Sequence, residues 1–286
     1  MKIITSPKEM QAYVKRARTD GKTVGLVPTM GAFHEGHLSL MRRARAENDI
    51  VVTSIFVNPT QFGPKEDYNA YPRDLENDSK MAEKIGVDVI FAPSVKDMYP
   101  QGYATFVNVE RITEKMCGAS RPGHFRGVAT VVTKLFNIIP AHKAYFGQKD
   151  AQQCVVIKRM SEDLNFDIDI VILPTVREND GLAMSSRNKY LSDEERRSAL
   201  VLFKSLSMAK ELIRSGELNS EKIRQKMLDI INAEPLARVD YISIVDAETL
   251  EDLNEIKDNT LIALAVFIGK TRLIDNIIID QINPLK

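Results

Sequence analysis

The sequence has few cysteines, no excess of charge of either sign and no long apolar run. Its two cysteines, Cys117 and Cys154, belong to no Cys-x-x-Cys pair and to no Cys/His set with the spacing of metal ligands. A disulfide-dense scaffold and a thiolate zinc site are therefore excluded, and both thiols are expected to be small buried core residues. The longest nearly apolar run, Ile50–Val57, is far shorter than the roughly 18–20 residues that cross a bilayer, so no membrane partner is expected.

The charge balance and the first residues narrow the class further. Lys plus Arg and Asp plus Glu both number 39, so the formal net charge is zero. Proteins that bind a phosphate backbone usually carry a basic excess or a basic block, so nucleic acid is not expected as the main partner. The N-terminal residues show no charged leader before an apolar segment, and the sparse cysteines favour a reducing compartment. The predicted location is the cytoplasm.

Short apolar runs alternate with amphipathic stretches up to about residue 176. The runs are continuously apolar, which predicts parallel strands covered on both faces. We therefore expect a Rossmann-like doubly wound α/β domain over residues 1–176. The predicted strands are Thr23–Pro28, Ile50–Val57, Val87–Ala92, Lys143–Phe146 and Ile168–Leu173, and the predicted helices are His37–Glu47, Leu75–Ile85, Gly127–Ile139 and Ala151–Leu164.

The pattern changes beyond residue 176. Capping-box spacing at Ser192–Glu195 predicts one helix that ends near Ser215, and a second helix is predicted at Ser220–Ala233. Helices followed by strands, without further alternation, indicate a smaller α+β domain over residues 177–286, which is expected to act as a lid. Its predicted strands are Val239–Val245, Leu261–Phe267 and Leu273–Ile279.

A loop rich in glycine and histidine follows the first predicted strand and reads Pro28-Thr-Met-Gly-Ala-Phe-His-Glu-Gly-His37. Ligands of open α/β sheets bind at the carboxyl ends of strands, where the next helix presents unpaired N–H groups. His34 and His37 are three residues apart, which places both imidazoles on one side of a first helical turn. The loop predicts an anion site made of backbone N–H groups, the helix dipole and two imidazoles. It is neither a G-x-G-x-x-G fingerprint nor a P-loop.

This loop resembles the signature of the HxGH nucleotidylyltransferase superfamily and, more narrowly, the PTMGxxHxGH signature of the pantoate–β-alanine ligase (pantothenate synthetase) family. The resemblance extends over nearly the whole chain through three further blocks, which are Phe56–Gly63, Tyr145–Gln153 and Gly181–Asn188. The last block also resembles the KMSKS loop of class I aminoacyl-tRNA synthetases, but it lacks the first lysine and has Arg187 in place of the second. The MSSR form is that of the narrower family.

The resemblance implies a set of nucleotide-binding residues. Four of them, His34, His37, Lys149 and Arg187, are the expected catalytic residues, and His37 is the proton donor that the family implies. The expected ATP-binding residues are Met30, Gly31, Ala32, Phe33, His34, Glu35, Gly36, His37, Gly147, Gln148, Lys149, Asp150, Val176, Met184, Ser185, Ser186 and Arg187.

Two glutamines, Gln61 and Gln153, are expected to bind the pantoate carboxylate. Neutral amides hold a nucleophilic carboxylate without the ground-state stabilisation that a bidentate arginine would give it. Arg121, His124 and Tyr71 fit the family pattern, and their roles stay open.

Asp78 also stays unassigned. With Asp74 and Glu76 it forms an acidic helix start, which is favoured by the helix dipole and is also a candidate to support Mg²⁺. No protein ligand of a metal is assigned, because Mg²⁺ commonly keeps its waters and binds through substrate phosphates.

The resemblance implies an AMP-forming condensation of pantoate with β-alanine, with ATP as co-substrate, through pantoyl adenylate, carried out by a homodimer. Two other interpretations stay open. The chain can instead be read as another HxGH transferase, such as a cytidylyltransferase or a tRNA synthetase paralogue, and the zero net charge argues against the latter. It can also be read as a nucleotide-binding module without catalysis, which the joint presence of His34, His37, Lys149 and Arg187 disfavours.

Overall fold

A computed structural model describes residues 1–64 and 66–282 of the chain. They divide into two compact units. The first comprises the described part of 1–113 together with 121–147 and 156–174, and the second comprises 114–120, 148–155 and the described residues from 175 onward. The chain passes from the first unit to the second for the last time between Pro174 and Thr175. The domain division at residue 176 stays a prediction, and two short earlier segments also belong to the second unit.

Nine strands and ten α-helices are present in the described residues, numbered in chain order. The strands are β1 Lys2–Ile4, β2 Val24–Thr29, β3 Ile50–Ile55, β4 Val89–Phe91, β5 Lys143–Gly147, β6 Asp169–Leu173, β7 Ala237–Asp246, β8 Thr260–Ile268 and β9 Thr271–Ile279. The helices are α1 Pro7–Thr19, α2 Glu35–Glu47, α3 Leu75–Ile85, α4 Val95–Met98, α5 Cys117–Ser120, α6 His124–Ile138, α7 Ala151–Asp163, α8 Asp193–Ser198, α9 Leu200–Arg214 and α10 Ser220–Asn232.

The first unit is built on a six-stranded sheet with the order β1-β4-β3-β2-β5-β6. All of its strand pairs are parallel, which confirms the predicted Rossmann-like α/β class. After β2 the chain adds β3 and β4 on one side and later returns to place β5 on the other. The sheet therefore has its topological switch point between β2 and β5, which is where ligands of such sheets bind.

The core of the first unit joins this sheet to the helices that follow β2 and precede β4. Met41 and Ala44 of α2 and Ala82 of α3 are fully buried in one cluster with Val27 and Val51 of the central strands. Apolar residues at helical spacing on α2 meet continuously apolar strands, so the helix start that carries His34 and His37 is fixed against the middle of the sheet.

The second unit contains a three-stranded antiparallel sheet with the order β7-β8-β9. The buried residues Leu206 of α9 and Met227 of α10 pack in one cluster with Leu264 and Val266 of β8. This arrangement confirms the predicted smaller α+β part of the chain.

Several element boundaries differ from the predictions. The helix predicted to run unbroken from Ser192 is two helices, α8 and α9, which meet at Ala199. Helix α6 begins at His124, three residues before the predicted start, behind the left-handed Gly123. Strand β1 and helix α1 lie in a segment where we predicted no element. Cys117 and Cys154 are both buried and form no disulfide, as expected.

Candidate active site

Three predicted site loops follow adjacent strands of the first unit. The His34–His37 loop follows β2, the Gln61 loop follows β3, and Gly147 ends β5. Because these strands are parallel neighbours, their carboxyl ends share one edge of the sheet. Three of the predicted site segments of the first unit therefore lie at one edge of its sheet.

His34 and His37 cap the start of α2 reciprocally. The backbone N–H of Gly36 donates to His34 Nδ1 at 3.2 Å, and the backbone N–H of His34 donates to His37 Nδ1 at 3.3 Å. The ring centroids are 4.1 Å apart. A nitrogen that accepts a hydrogen bond carries no proton, so each neutral ring has its proton on Nε2. The capping box therefore fixes the tautomer that makes Nε2–H a donor.

Asp78 holds the same loop from α3. Its carboxylate accepts the backbone N–H of Ala32 and that of Phe33, both at 2.8 Å, and the residue is only 1% exposed. Ala32 has φ +53° and Gly31 has φ +86°, a left-handed path that the paired carboxylate stabilises. A Cβ on Gly31 would lie 2.9 Å from Asp78 Oδ2. The role that the sequence left open for Asp78 is thus to fix this loop.

These contacts change the expected chemistry of the loop. The N–H groups of Ala32 and Phe33 donate to Asp78. The N–H groups of Gly36, His37 and Leu38 in the first turn of α2 donate to His34. Backbone N–H groups were expected to form the anion site together with the imidazoles. In this conformation Ala32 and Phe33 can meet a nucleotide only through their other atoms, because each N–H group is already paired with a buried carboxylate.

The orientation of the Gln61 amide is set by Asn58, a residue to which the sequence motifs assigned no role. Asn58 Oδ1 accepts from Tyr99 Oη at 2.8 Å and from Thr60 Oγ1 at 2.9 Å, so its Nδ2 donates to Gln61 Oε1 at 3.0 Å. Burial raises the pKa of Tyr99 to about 12, which keeps that hydroxyl a donor. Gln61 Nε2 lies 3.3 Å from Met30 Sδ, next to the histidine loop. Because Asn58 holds the Gln61 Oε1, the side of this amide next to the histidine loop is its N–H side.

Arg121 and His124 hold the backbone of the Gln61 loop. His124 Nδ1 lies 2.8 Å from the carbonyl oxygen of Gln61, and Arg121 Nη2 donates to the same oxygen at 3.3 Å. Arg121 forms a two-point ion pair with Glu66, with N···O distances of 2.7 and 2.6 Å. Tyr71 is buried, with its ring edge-on to that of Phe62. Arg121 and His124 therefore stabilise the Gln61 loop through its backbone carbonyl.

In the second unit, Val176 and Met184 face each other in a short hairpin. The N–H of Met184 donates to the carbonyl of Val176 at 3.0 Å, and Arg177 is bridged to Ala183. The hairpin leads into a 3₁₀ turn, Ser186–Tyr190, and the N–H of Arg187 in this turn donates to Ser185 Oγ. The sequence block Met184–Arg187 is thus an ordered turn with Ser186 buried and Arg187 half-buried.

Lys149 occupies the middle of the 3₁₀ turn Gln148–Asp150, which leads directly into α7. Its Nζ lies 4.0 Å from Asp150 Oδ2, and its side chain is 20% exposed. Gln153 is half-buried in the first turn of α7, whereas its neighbour Gln152 is buried and bonds the backbone at Lys115 and Cys117. Of the two glutamines, Gln153 is the one with an exposed face that can reach a ligand.

Among the described residues, no group of three or more His, Cys, Asp or Glu side chains could hold a metal ion. Asp78, the acidic candidate from the sequence, has its two carboxylate oxygens on backbone N–H groups. In the same described part, no helix is long and apolar enough to cross a bilayer.

A parallel α/β sheet with an HxGH loop at its switch point defines a Rossmann-like α/β protein. The family model for pantoate-beta-alanine ligase matches residues 2–278. Pantothenate synthetase from Acetivibrio thermocellus is 60% identical over 98% of this chain and 100% of its own. The chain belongs to the pantoate-beta-alanine ligase family and is a ligase of that family.

Solved structures agree with this assignment. The crystal structure of pantothenate synthetase from Thermus thermophilus has a TM-score of 0.92 at 47% identity, covering 97% of this chain and 99% of that one. The pantoate-beta-alanine ligase from Francisella tularensis, described as complexed with beta-gamma ATP and beta-alanine, has a TM-score of 0.79 at 37% identity and covers 97% of both chains.

Proposed function

We propose that this chain condenses pantoate with β-alanine to give pantothenate in two steps, with ATP as co-substrate. In the first step a pantoate carboxylate oxygen attacks the α-phosphorus, the bond from that phosphorus to the bridging oxygen breaks, and pyrophosphate leaves. In the second step the neutral amine of β-alanine attacks the acyl carbon of pantoyl adenylate. The C–O bond to AMP breaks, AMP leaves, and the amine loses a proton.

The observation that carries the proposal is the pair of imidazoles at the switch point, with the N–H side of the Gln61 amide next to the same loop. Catalysis at an α-phosphorus is mostly positioning and stabilisation of charge that develops on the phosphate oxygens. His34 and His37 supply Nε2–H donors for this charge, and His37 is the proton donor. The amides of Gln61 and Gln153 hold the pantoate carboxylate without suppressing its nucleophilicity.

The cationic and hydroxyl groups of the second unit act on the departing pyrophosphate in this proposal. Lys149 and the Arg187 guanidinium are charge-assisted donors to phosphate oxygens, and the Ser185 and Ser186 hydroxyls add neutral ones. The remaining nucleotide contacts are assigned to backbone and packing groups, namely those of Met30, Gly31, Ala32, Phe33, Glu35, Gly36, Gly147, Gln148, Asp150, Val176 and Met184.

Mg²⁺ is proposed to bind through the ATP phosphates and waters. The engagement of both Asp78 carboxylate oxygens with backbone N–H groups supports this mode of binding. A bound Mg²⁺ supplies neutralisation of phosphate charge, and the residues named above orient the phosphates. The enzyme is further proposed to work as a homodimer in the cytoplasm, without nucleic-acid or membrane partners.

An omission experiment tests the proposal. With ATP, pantoate and β-alanine present, we expect equimolar AMP, pyrophosphate and pantothenate, and without β-alanine we expect pantoate-dependent exchange of labelled pyrophosphate into ATP. ADP as the nucleotide product would contradict the α-phosphorus mechanism. Exchange supported by CTP but not ATP would favour a cytidylyltransferase, and ATP binding without any turnover would favour a non-catalytic module.

A further inference from the structure

Asp275 and Asn276 are adjacent polar residues of β9 that lie almost completely inside the second unit. They are 2% and 3% exposed. Buried polar side chains are costly unless their hydrogen bonds are made, so their partners show what they hold in place. Neither residue belongs to any sequence block of the proposed site.

Asn276 closes the turn that carries Lys149. Its Nδ2 donates to the carbonyl oxygens of Gln148 and Lys149, both at 2.9 Å, and its Oδ1 accepts from Gln148 Nε2 at 3.3 Å. A single amide that bonds two consecutive carbonyls fixes the backbone direction at Lys149. The direction in which the lysine stem leaves the turn is fixed with it.

Asp275 holds the hairpin that leads to Arg187. Its two carboxylate oxygens pair with the Arg177 guanidinium at 2.6 and 2.9 Å, and Arg177 Nη1 also donates to the carbonyl of Gly181 at 3.0 Å. The N–H of Asn276 donates to Asp275 Oδ1 at 2.8 Å, which fixes the rotamer of the carboxylate. This carboxylate therefore fixes the base of the hairpin, from which Met184–Arg187 continues.

We propose that Asp275 and Asn276 form a positioning pair that sets the spacing between Lys149 and the Ser185–Arg187 turn for the oxygens of one triphosphate. The proposal rests on the proposed function, which assigns both segments to the phosphates. Two consecutive residues of one strand cannot shift independently, so the two segments that they hold keep one register. The pair itself touches no reacting atom.

The two half-reactions separate this role from a general loss of fold. Pyrophosphate takes part in adenylate formation but not in the attack of β-alanine on the adenylate. A displacement of about 1 Å in a phosphate-positioning group costs on the order of 10² in rate, so Asn276→Ala should slow pantoate-dependent pyrophosphate exchange by about that factor. The rate at which preformed enzyme-bound adenylate, accumulated with pyrophosphatase, reacts with β-alanine in a quenched-flow experiment should stay unchanged.

Thr260→Val is the matched control. Thr260 is fully buried in β8, and its hydroxyl donates to the carbonyl of Lys257 at 2.6 Å. Like Asn276, it therefore holds a loop of the second unit against the sheet, but that loop contains no proposed site residue. We expect this variant to lose stability without a change in exchange. Asn276→Ser, which keeps one donor, should give an intermediate exchange rate and covers the case in which Asn276→Ala does not fold.

Equal slowing of both half-reactions by the Asn276 variants, or no more slowing of exchange than in Thr260→Val, would overturn the proposal. If the wild-type chain shows no exchange at all, the proposed function fails, and binding of β,γ-methylene ATP by calorimetry still decides the inference. In that case the Asn276 variants should bind the analogue at least about tenfold more weakly than Thr260→Val, and equal affinities would count against the positioning pair.

Discussion

The carboxylate of Asp78 accepts the backbone N–H of Phe33 at 2.8 Å, 45 residues away along the chain. Together with the hydrogen bond from the N–H of Ala32, this contact fixes the left-handed loop that precedes the capping box at His34. The two hydrogen bonds have a charged acceptor and are buried, so they are strong and costly to lose.

Asp78→Asn should lower the rate of adenylate formation much more than it lowers ATP binding. The asparagine can accept from one N–H but presents an NH₂ group to the other, so the loop shifts. We expect kcat for pyrophosphate exchange to fall about 10²-fold and the free energy of unfolding to fall by about 1–3 kcal/mol. Steady-state exchange kinetics and urea denaturation measure both quantities.

Asp74→Asn is the matched control for this variant, because Asp74 caps the same helix and its carboxylate accepts from the N–H of Asn77 within α3. Asparagine is as good an N-cap as aspartate, so we expect near wild-type exchange. An equal loss of exchange in the two variants would show that α3 matters only as a helix.

His34 is the N-cap of α2 and the proposed donor to phosphate, and substitutions can separate the two functions. His34→Ala removes both, and we expect a loss of about 1 kcal/mol in stability together with a fall of about 10²–10³ in exchange rate. His34→Ser restores a favourable N-cap without the Nε2–H group. It should therefore regain most of the stability while its exchange rate stays low.

Thermal or chemical denaturation and pyrophosphate exchange, measured side by side on the two His34 variants, provide the check. Recovery of exchange in His34→Ser would mean that the ring serves only to start the helix, and its proposed contact with phosphate would have to be abandoned.

Local patterns predicted the sheet and the histidine loop because both follow from short sequence signals. Continuously apolar strands alternating with helices define the parallel sheet, and the loop follows directly from β2. The partners that hold the site in place were not predictable in this way. In the sequence, Asp78 is one of several acidic residues at the start of a helix. Nothing near it in sequence shows that its carboxylate accepts from the backbone of Ala32 and Phe33.

The same limit applies to Asn58 and to Asn276. Asn58 looked like part of a loop, and Asn276 lies in a strand more than a hundred residues after the turn that it closes. Such contacts depend on tertiary packing, which single-sequence periodicity does not encode. The break at Ala199 between α8 and α9 was missed for a related reason, because the capping signal at Ser192 marks where a helix begins and not how far it continues.

Gln61→Glu should impair pantoate binding selectively. The glutamate keeps the size of the glutamine and still accepts from Asn58 Nδ2, but it replaces N–H donors with a second negative charge facing the pantoate carboxylate. We expect the KM for pantoate to rise at least about 10²-fold, since unpaired like charges cost several kcal/mol, and the KM for ATP to change little. Initial rates with each substrate varied in turn measure both constants.

Gln152→Glu does not serve as a control here, because Gln152 is buried. Gln11→Glu is the control, because Gln11 is a half-buried residue of α1 outside the site segments and donates to the carbonyl of Asn137. It should leave both constants unchanged. Parallel increases in the two KM values for Gln61→Glu would indicate a disturbed loop instead of a pantoate contact.

The ion pair behind the Gln61 loop should make stability depend on pH in acid. Burial by itself raises the pKa of Glu66, but the hydrogen bonds and charge of Arg121 outweigh it, and the pKa of Glu66 lies below its ordinary value of 4.5. For a carboxyl group with a depressed pKa in the folded state, the stabilisation is complete above the unfolded pKa and disappears as the pH falls through the folded pKa.

Glu66→Gln should therefore be less stable than wild type by about 1 kcal/mol at pH 7, a value that allows for the partial exposure of the pair. The difference should shrink below about pH 4.5 and vanish in stronger acid, where Glu66 of the wild type is protonated. Urea denaturation from pH 7 to pH 3 measures it, with Glu76→Gln as the exposed control, whose i,i+4 pair with Lys80 contributes only about 0.3–0.5 kcal/mol. A difference between wild type and Glu66→Gln that stays constant over this range would mean that the Arg121 contact does not stabilise the ionised carboxylate.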